Sequence, residues 1–172
     1  MKNRKISRIG VVALIFLLLL GSLVGCQQTT QTEEPETAAI DYLSYRGQAV
    51  KVGRCNIEQL LLSLGEDYTV QEGESCAGVG KDYIYRYPSL CLYVTALVDG
   101  TATVTTVKYT DDGAEHGGVR IGSPETDIVA VFGEPDARTG DRRMYFAEES
   151  TLSFTLRDGV VTLIILQMSS QY

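Results

Sequence analysis

A pattern that occurs twice constrains this chain most. Val50-Lys51-Val52-Gly53 returns as Val119-Arg120-Ile121-Gly122, and each copy runs into a short amphipathic segment that ends in glycine. Repetition of this kind means one supersecondary unit built twice, each copy covering apolar surface that the other cannot bury alone. In the first copy a helix starts at Cys55 or Asn56. Ile57, Leu60, Leu61 and Leu64 form its i, i+3, i+4, i+7 stripe, and Gly65 ends it. In the second copy Ser123 is the expected N-cap, with Pro124 at the first helical position. Glu125 suits the positive end of the dipole, and Gly133 closes the helix in the left-handed conformation.

Three strands are expected after each helix: 83–87, 90–98 and 102–109 in the first copy, 144–147, 151–157 and 160–168 in the second. Asp99-Gly100 and Asp158-Gly159 sit at the same place in both, where a two-residue hairpin requires positive φ that Asp tolerates and Gly adopts freely. The fold class expected is therefore α+β: tandem β-α-β-β-β repeats over 41–110 and 117–172, an antiparallel sheet with one short helix per repeat. The two repeats either pack sheet on sheet or pair strands into one continuous sheet. The last strand is apolar on both faces, which makes it central or covered. The copies differ most between helix and next strand, where 66–82 reads as a long, Gly-rich, acidic loop and 134–143 as a shorter one. An insertion confined to one copy is where specificity would reside.

The N-terminus says where the chain works. Lys2, Arg4, Lys5 and Arg8 precede an apolar run over 10–20 that is short for a bilayer span, and Leu23-Val24-Gly25-Cys26 follows as a lipobox. Residues 1–25 read as a signal peptide, with Leu23, Val24 and Gly25 recognised by the peptidase. Cys26 receives a diacylglycerol group as a thioether. The product is exported and held by lipid on the outer face of the cell membrane, or on the outer membrane in a Gram-negative cell. Residues 26–40 carry almost no apolar bulk, so they read as a flexible tether. Cleavage removes four of fifteen basic residues and none of twenty-two acidic ones, leaving a balance near −11, which argues against nucleic acid as a partner. The lipid must supply the membrane attachment, and its two acyl chains suffice for a stable anchor.

With Cys26 lipidated, Cys55, Cys76 and Cys91 remain in an exported chain where disulfides persist. Cys76 is the first choice for a bond, and Cys55 and Cys91 compete as its partner. His116 is the one histidine, in a connector over 111–118 that reads as solvated, and neither zinc nor calcium spacing is present. No cofactor is expected. Tyr83, Tyr85 and Tyr87 alternate so that their rings share one sheet face, a candidate binding face.

Ser75-Cys76-Ala77, Gly80, Tyr83-x-Tyr85, Gly118-Val119-Arg120-Ile121-Gly122 and a helix ending at Phe132-Gly133 together resemble a group of uncharacterised lipoproteins of clostridia-type Gram-positive bacteria. In architecture the repeat is similar to the beta-lactamase inhibitory protein fold and to the small SmpA/OmlA outer-membrane assembly lipoproteins. That likeness implies a binding protein rather than an enzyme and carries over no site residues. The function expected is a surface-exposed, lipid-anchored, non-enzymatic protein-binding or scaffolding module, its partner protein unidentified. The alternatives are capture of a small molecule or cell-wall glycan between the repeats, and a thiol-dependent enzyme.

Overall fold

Runs of alternating apolar residues dictate a large antiparallel sheet, and the computed structural model, which describes residues 38–75, 80–97 and 101–169, shows how its strands are joined. In chain order the described residues form the hairpin β1 (Leu43–Tyr45) and β2 (Gln48–Val50), then β3 (Gly53–Cys55) and α1 (Ile57–Leu64). Four strands follow: β4 (Thr69–Glu74), β5 (Lys81–Arg86), β6 (Leu90–Ala96) and β7 (Ala102–Tyr109). A small hairpin, β8 (Glu115–His116) and β9 (Val119–Arg120), leads to α2 (Glu125–Phe132). Four more strands complete the fold: β10 (Ala137–Thr139), β11 (Arg142–Phe146), β12 (Ser150–Arg157) and β13 (Val160–Met168).

The sheet runs β10-β11-β12-β13-β7-β6-β5-β4, with β3 added beside β7. Of the two packings left open by the sequence, the strands pair into one sheet. Leu166 lies opposite Val107 and Ile164 opposite Tyr109 where the last strands of the two meanders meet, and this makes β13 central. The free part of β7's edge takes β3, Cys55 opposite Ala102. At the corresponding place on β13, Gly122 donates to the Val161 carbonyl and Pro124 bridges Val160.

Each helix is followed by four strands rather than three. The segment 66–82, expected as a loop, contains β4, and 134–143 contains β10. Both are edge strands, and β4 is exposed at all six positions, so it lacks the one-sided apolar alternation by which strands are recognised. The helix signals hold with a one-residue shift in α2, except that Gly133 closes it at φ 76° and ψ −164° rather than in the left-handed helical conformation. Asn56 caps α1, its side-chain oxygen accepting from the Gln59 amide at 3.1 Å. In α2 Pro124 occupies the cap position without a side-chain bond, and Ser123 turns back to accept from the Arg120 amide. Asp158-Gly159 adopts φ of 53° and 76°, the doubly left-handed turn its residues suit. Asp99-Gly100 lies outside the described residues.

The core lies on one side of the sheet. Leu90, Leu92, Val104, Val107, Tyr109, Leu152, Phe154, Ile164 and Leu166 project from the strands to meet Leu64 of α1, Ile128 and Phe132 of α2, and Leu43 and Val50 of the first hairpin. Burial of side chains such as Ile128 and Phe132 stabilises by about 1.5–3 kcal/mol each. Polar clamps seat the helices. Arg46, in the β1–β2 turn, donates to the Leu64 carbonyl at the C-terminus of α1 and forks onto Asp67. Glu125, in the first turn of α2, accepts from Arg143 at 2.5 Å and from Arg138 at 3.0 Å.

Candidate functional site

Register decides which side chains share a face. Tyr83 and Tyr85 lie opposite Val94 and Leu92, both core residues, so the tyrosine row lies on the helix side of the sheet. Tyr87 is 4% exposed, and Tyr83 and Tyr85 are half-buried against the core. Tyr83 stacks on Tyr85, Tyr68 meets both Tyr85 and Tyr87, and Tyr45 meets Tyr87, giving a contact chain of five rings. Of the expected binding face Tyr83, Tyr85 and Tyr87, the last is buried and the first two are half-buried. They share a face as alternation requires, and it is the core side of the sheet.

The opposite face carries no helix among the described residues. Two cross-strand rows define it. One runs Met144, Ser153, Ile165, Lys108, Cys91, Arg86 and Thr69; the other runs Phe146, Thr151, Gln167, Thr106, Tyr93, Ile84 and Gln71. Ile84, Tyr93, Met144, Leu163 and Ile165 are half-buried without belonging to the core, and Phe146 is 52% exposed. Ser153 and Thr151 are buried between larger neighbours, so the surface has apolar ridges over small polar floors. The surface is broad, and its one hollow of note, about 220 Å³, is lined in part by Asp82, Ile84, Tyr93 and Thr95.

Among the described residues the thiols and the histidine are not brought together. Cys91 lies on the open face, 4% exposed and beside Lys108 and Arg86. Burial pushes its thiol up despite those cations, which keeps it protonated. Cys55, which like Cys91 has no disulfide partner among the described residues, is also pushed up by burial. Cys76 lies outside the described residues. His116 is 2% exposed, not solvated as expected of its connector, because the β8–β9 hairpin folds it under the sheet's helix side. Its Nε2 is 2.6 Å from the Ala39 carbonyl, which only accepts, so Nε2 carries the proton. Nδ1 then accepts from the Ser44 hydroxyl at 3.1 Å, and both ring nitrogens are committed. Burial lowers its pKa below the ordinary value, and Phe132 stacks on the ring at 5.5 Å.

A groove of about 570 Å³ runs between the β1–β2 turn and residues 113–118. Glycine backbone supplies much of its wall. Its charged side chains, Arg46 and Glu115, are engaged by Asp67 and Arg120. Among the described residues there is no metal-binding cluster of His, Cys, Asp and Glu, and no helix long and apolar enough to cross a membrane.

The lipobox residues Leu23, Val24, Gly25 and Cys26 lie outside the described residues, as does most of the tether. Sequence reasoning missed the open-face residues. Their signal is the complement of the core alternation, Ile84-x-Arg86 and Met144-x-Phe146, and it becomes readable only once the core parity of each strand is known. Comparison of the chain with protein-family models, with curated proteins and with solved structures finds no match.

Proposed function

We propose that this chain is an exported lipoprotein, anchored through diacylglycerol on Cys26, that acts as a non-enzymatic protein-binding module through the open face of its sheet. The observation that carries this reading is the face that no described helix covers, with Phe146, Met144, Ile165, Tyr93 and Ile84 arranged across strands β11 to β5. A wide surface of exposed and half-exposed apolar side chains with small polar floors is suited to a protein partner, since a small ligand needs concavity and converging polar groups. The commitment of both His116 nitrogens and the protonated state of Cys91 favour a binding role over thiol chemistry.

We further propose that the two halves are copies of one unit. Each has a pre-helix segment paired to the start of the final strand, a short helix closed by glycine at positive φ, and a four-stranded meander. Such duplication widens the docking face without lengthening either unit. The resemblance to uncharacterised Gram-positive lipoproteins agrees with the same placement at the cell surface.

The test is affinity purification of the full-length lipidated protein from its own cells beside a Phe146→Ser variant. A stoichiometric protein companion retained by the parent and lost from the variant is expected. No such companion, or one retained equally by both, refutes the reading. Labelling with radioactive palmitate tests the anchor: Cys26→Ser should lose it, and full labelling of the variant would disprove lipidation there.

A further inference from the structure

Outside the expected signal peptide the chain holds eleven basic residues, all described, and they divide by face. Arg46, Lys51, Lys81, Arg120, Arg138 and Arg143 are each in an ion pair. Arg54, Arg86, Lys108, Arg142 and Arg157 form none among the described residues. Register places every one of these five on the open face: Arg142 opposite Thr155, Lys108 opposite Ile165, Arg86 opposite Cys91, Arg54 opposite Thr103, and Arg157 next beyond core residue Leu156. The one acidic side chain among the described strand residues of that face is Asp82, which accepts from the Thr95 hydroxyl. A chain with a formal charge of −7 therefore presents one cationic face.

We propose that the partner docking on the open face is a protein whose contact surface is acidic around an apolar centre. This rests on the reading of that face as a protein-docking surface and names the partner's chemistry. The cations are separated by apolar ridges. Lys108 and Arg86 are two strand spacings apart, about 10 Å, and Arg142 is three strands across and two residues along from Lys108, about 16 Å. Phosphate polymers and anionic lipid surfaces favour a contiguous cationic stripe, whereas spaced cations interleaved with Met144, Leu163, Ile165 and Tyr93 match separate carboxylates rimming an apolar protein patch. Such complementarity steers encounter and rejects wrong partners, and it weakens with salt.

The test places a photo-crosslinking residue at Gln167, exposed in the middle of the face, in the full-length lipidated protein in its own cells. One discrete protein adduct is expected, with the crosslinked peptide rich in Asp and Glu. Triple reversal, Arg86→Glu with Lys108→Glu and Arg142→Glu, should cut its yield at least tenfold. Reversing the partner's acidic residues to Lys should restore it. The reversed variant's melting curve checks that it folds. As a second measurement, adduct yield from the parent in isolated membranes should fall at least fivefold between 50 and 500 mM NaCl. An adduct indifferent to both charge reversal and salt would overturn the acidic-partner inference while leaving protein docking intact, and absence of any protein adduct would sink both. Binding of the unlipidated protein to phosphatidylglycerol vesicles with the same charge and salt dependence, in place of a protein adduct, would reassign the face to lipid.

Discussion

Tyr109 and Tyr87 offer a controlled comparison, because both rings are buried and only one hydroxyl is satisfied. Tyr109 is 0% exposed, and its hydroxyl sits between the backbone carbonyls of Ser44 and Glu115, tying the first hairpin and the β8 strand to β7. Tyr87 is 4% exposed, and its hydroxyl has no partner among the described residues. Replacing either with Phe keeps ring packing nearly isosteric and removes one oxygen. For Tyr109→Phe the buried bond is lost and carbonyls are left underserved, a cost of about 1–3 kcal/mol. In a folded unit of this size that is a fall in Tm of about 3–12 °C. Tyr87→Phe removes a group that folding desolvates without compensation, so its effect should lie within about 0.5 kcal/mol of zero or be stabilising. Urea denaturation of both variants, with unchanged m-values, measures the contrast. Equal losses in the two, or a larger loss at Tyr87, would refute the assignment of these hydroxyls.

Further expectations follow from the polar clamps and the tight approaches. His116 is neutral in the fold with its pKa lowered by burial, so the unfolded chain binds more protons near its ordinary value of 6.5. The stability it contributes is full above that pH and declines as pH falls through it; His116→Gln should flatten the urea midpoint between pH 7.5 and 5.5, and an unchanged slope would count against a buried neutral ring. Glu125 is held below the usual carboxylate range by its bond to Arg143, so its contribution is present above pH 4.5 and lost on acidification below it. Glu125→Gln should cost about 1 kcal/mol at pH 7 and nothing near pH 2, read from denaturation midpoints. Gly80 has φ of +114°, and a Cβ there would stand 2.2 Å from the Ala96 carbonyl oxygen. Gly80→Ala should therefore lower the melting temperature markedly, whereas alanine at Gly73, which has open space, should shift it little.

Much of the local structure is legible in the residues. The Ile57/Leu60/Leu61/Leu64 stripe, the glycines that end both helices and the Asp158-Gly159 turn depend on neighbours within a few positions, so reading the chain locally finds them. The edge strand β4 was hidden for the converse reason: Thr69–Glu74 owes its strand state to pairing with β5 along one side, and no one-sided burial marks its sequence. The tyrosines show the limit sharply. Alternation along 83–87 requires a shared face, but whether that face meets helices or solvent turns on the register with Leu92 and Val94, where a one-residue slip would invert every side chain. The same register gathers Arg54, Arg86, Lys108, Arg142 and Arg157 from five separate strands onto one surface. Periodicity and turn chemistry are properties of the chain, and they specify the helices, the hairpins and which residues move together. The side of the sheet on which each set lands is a long-range pairing decision, and it separates a tyrosine row on the core side from an open cationic face.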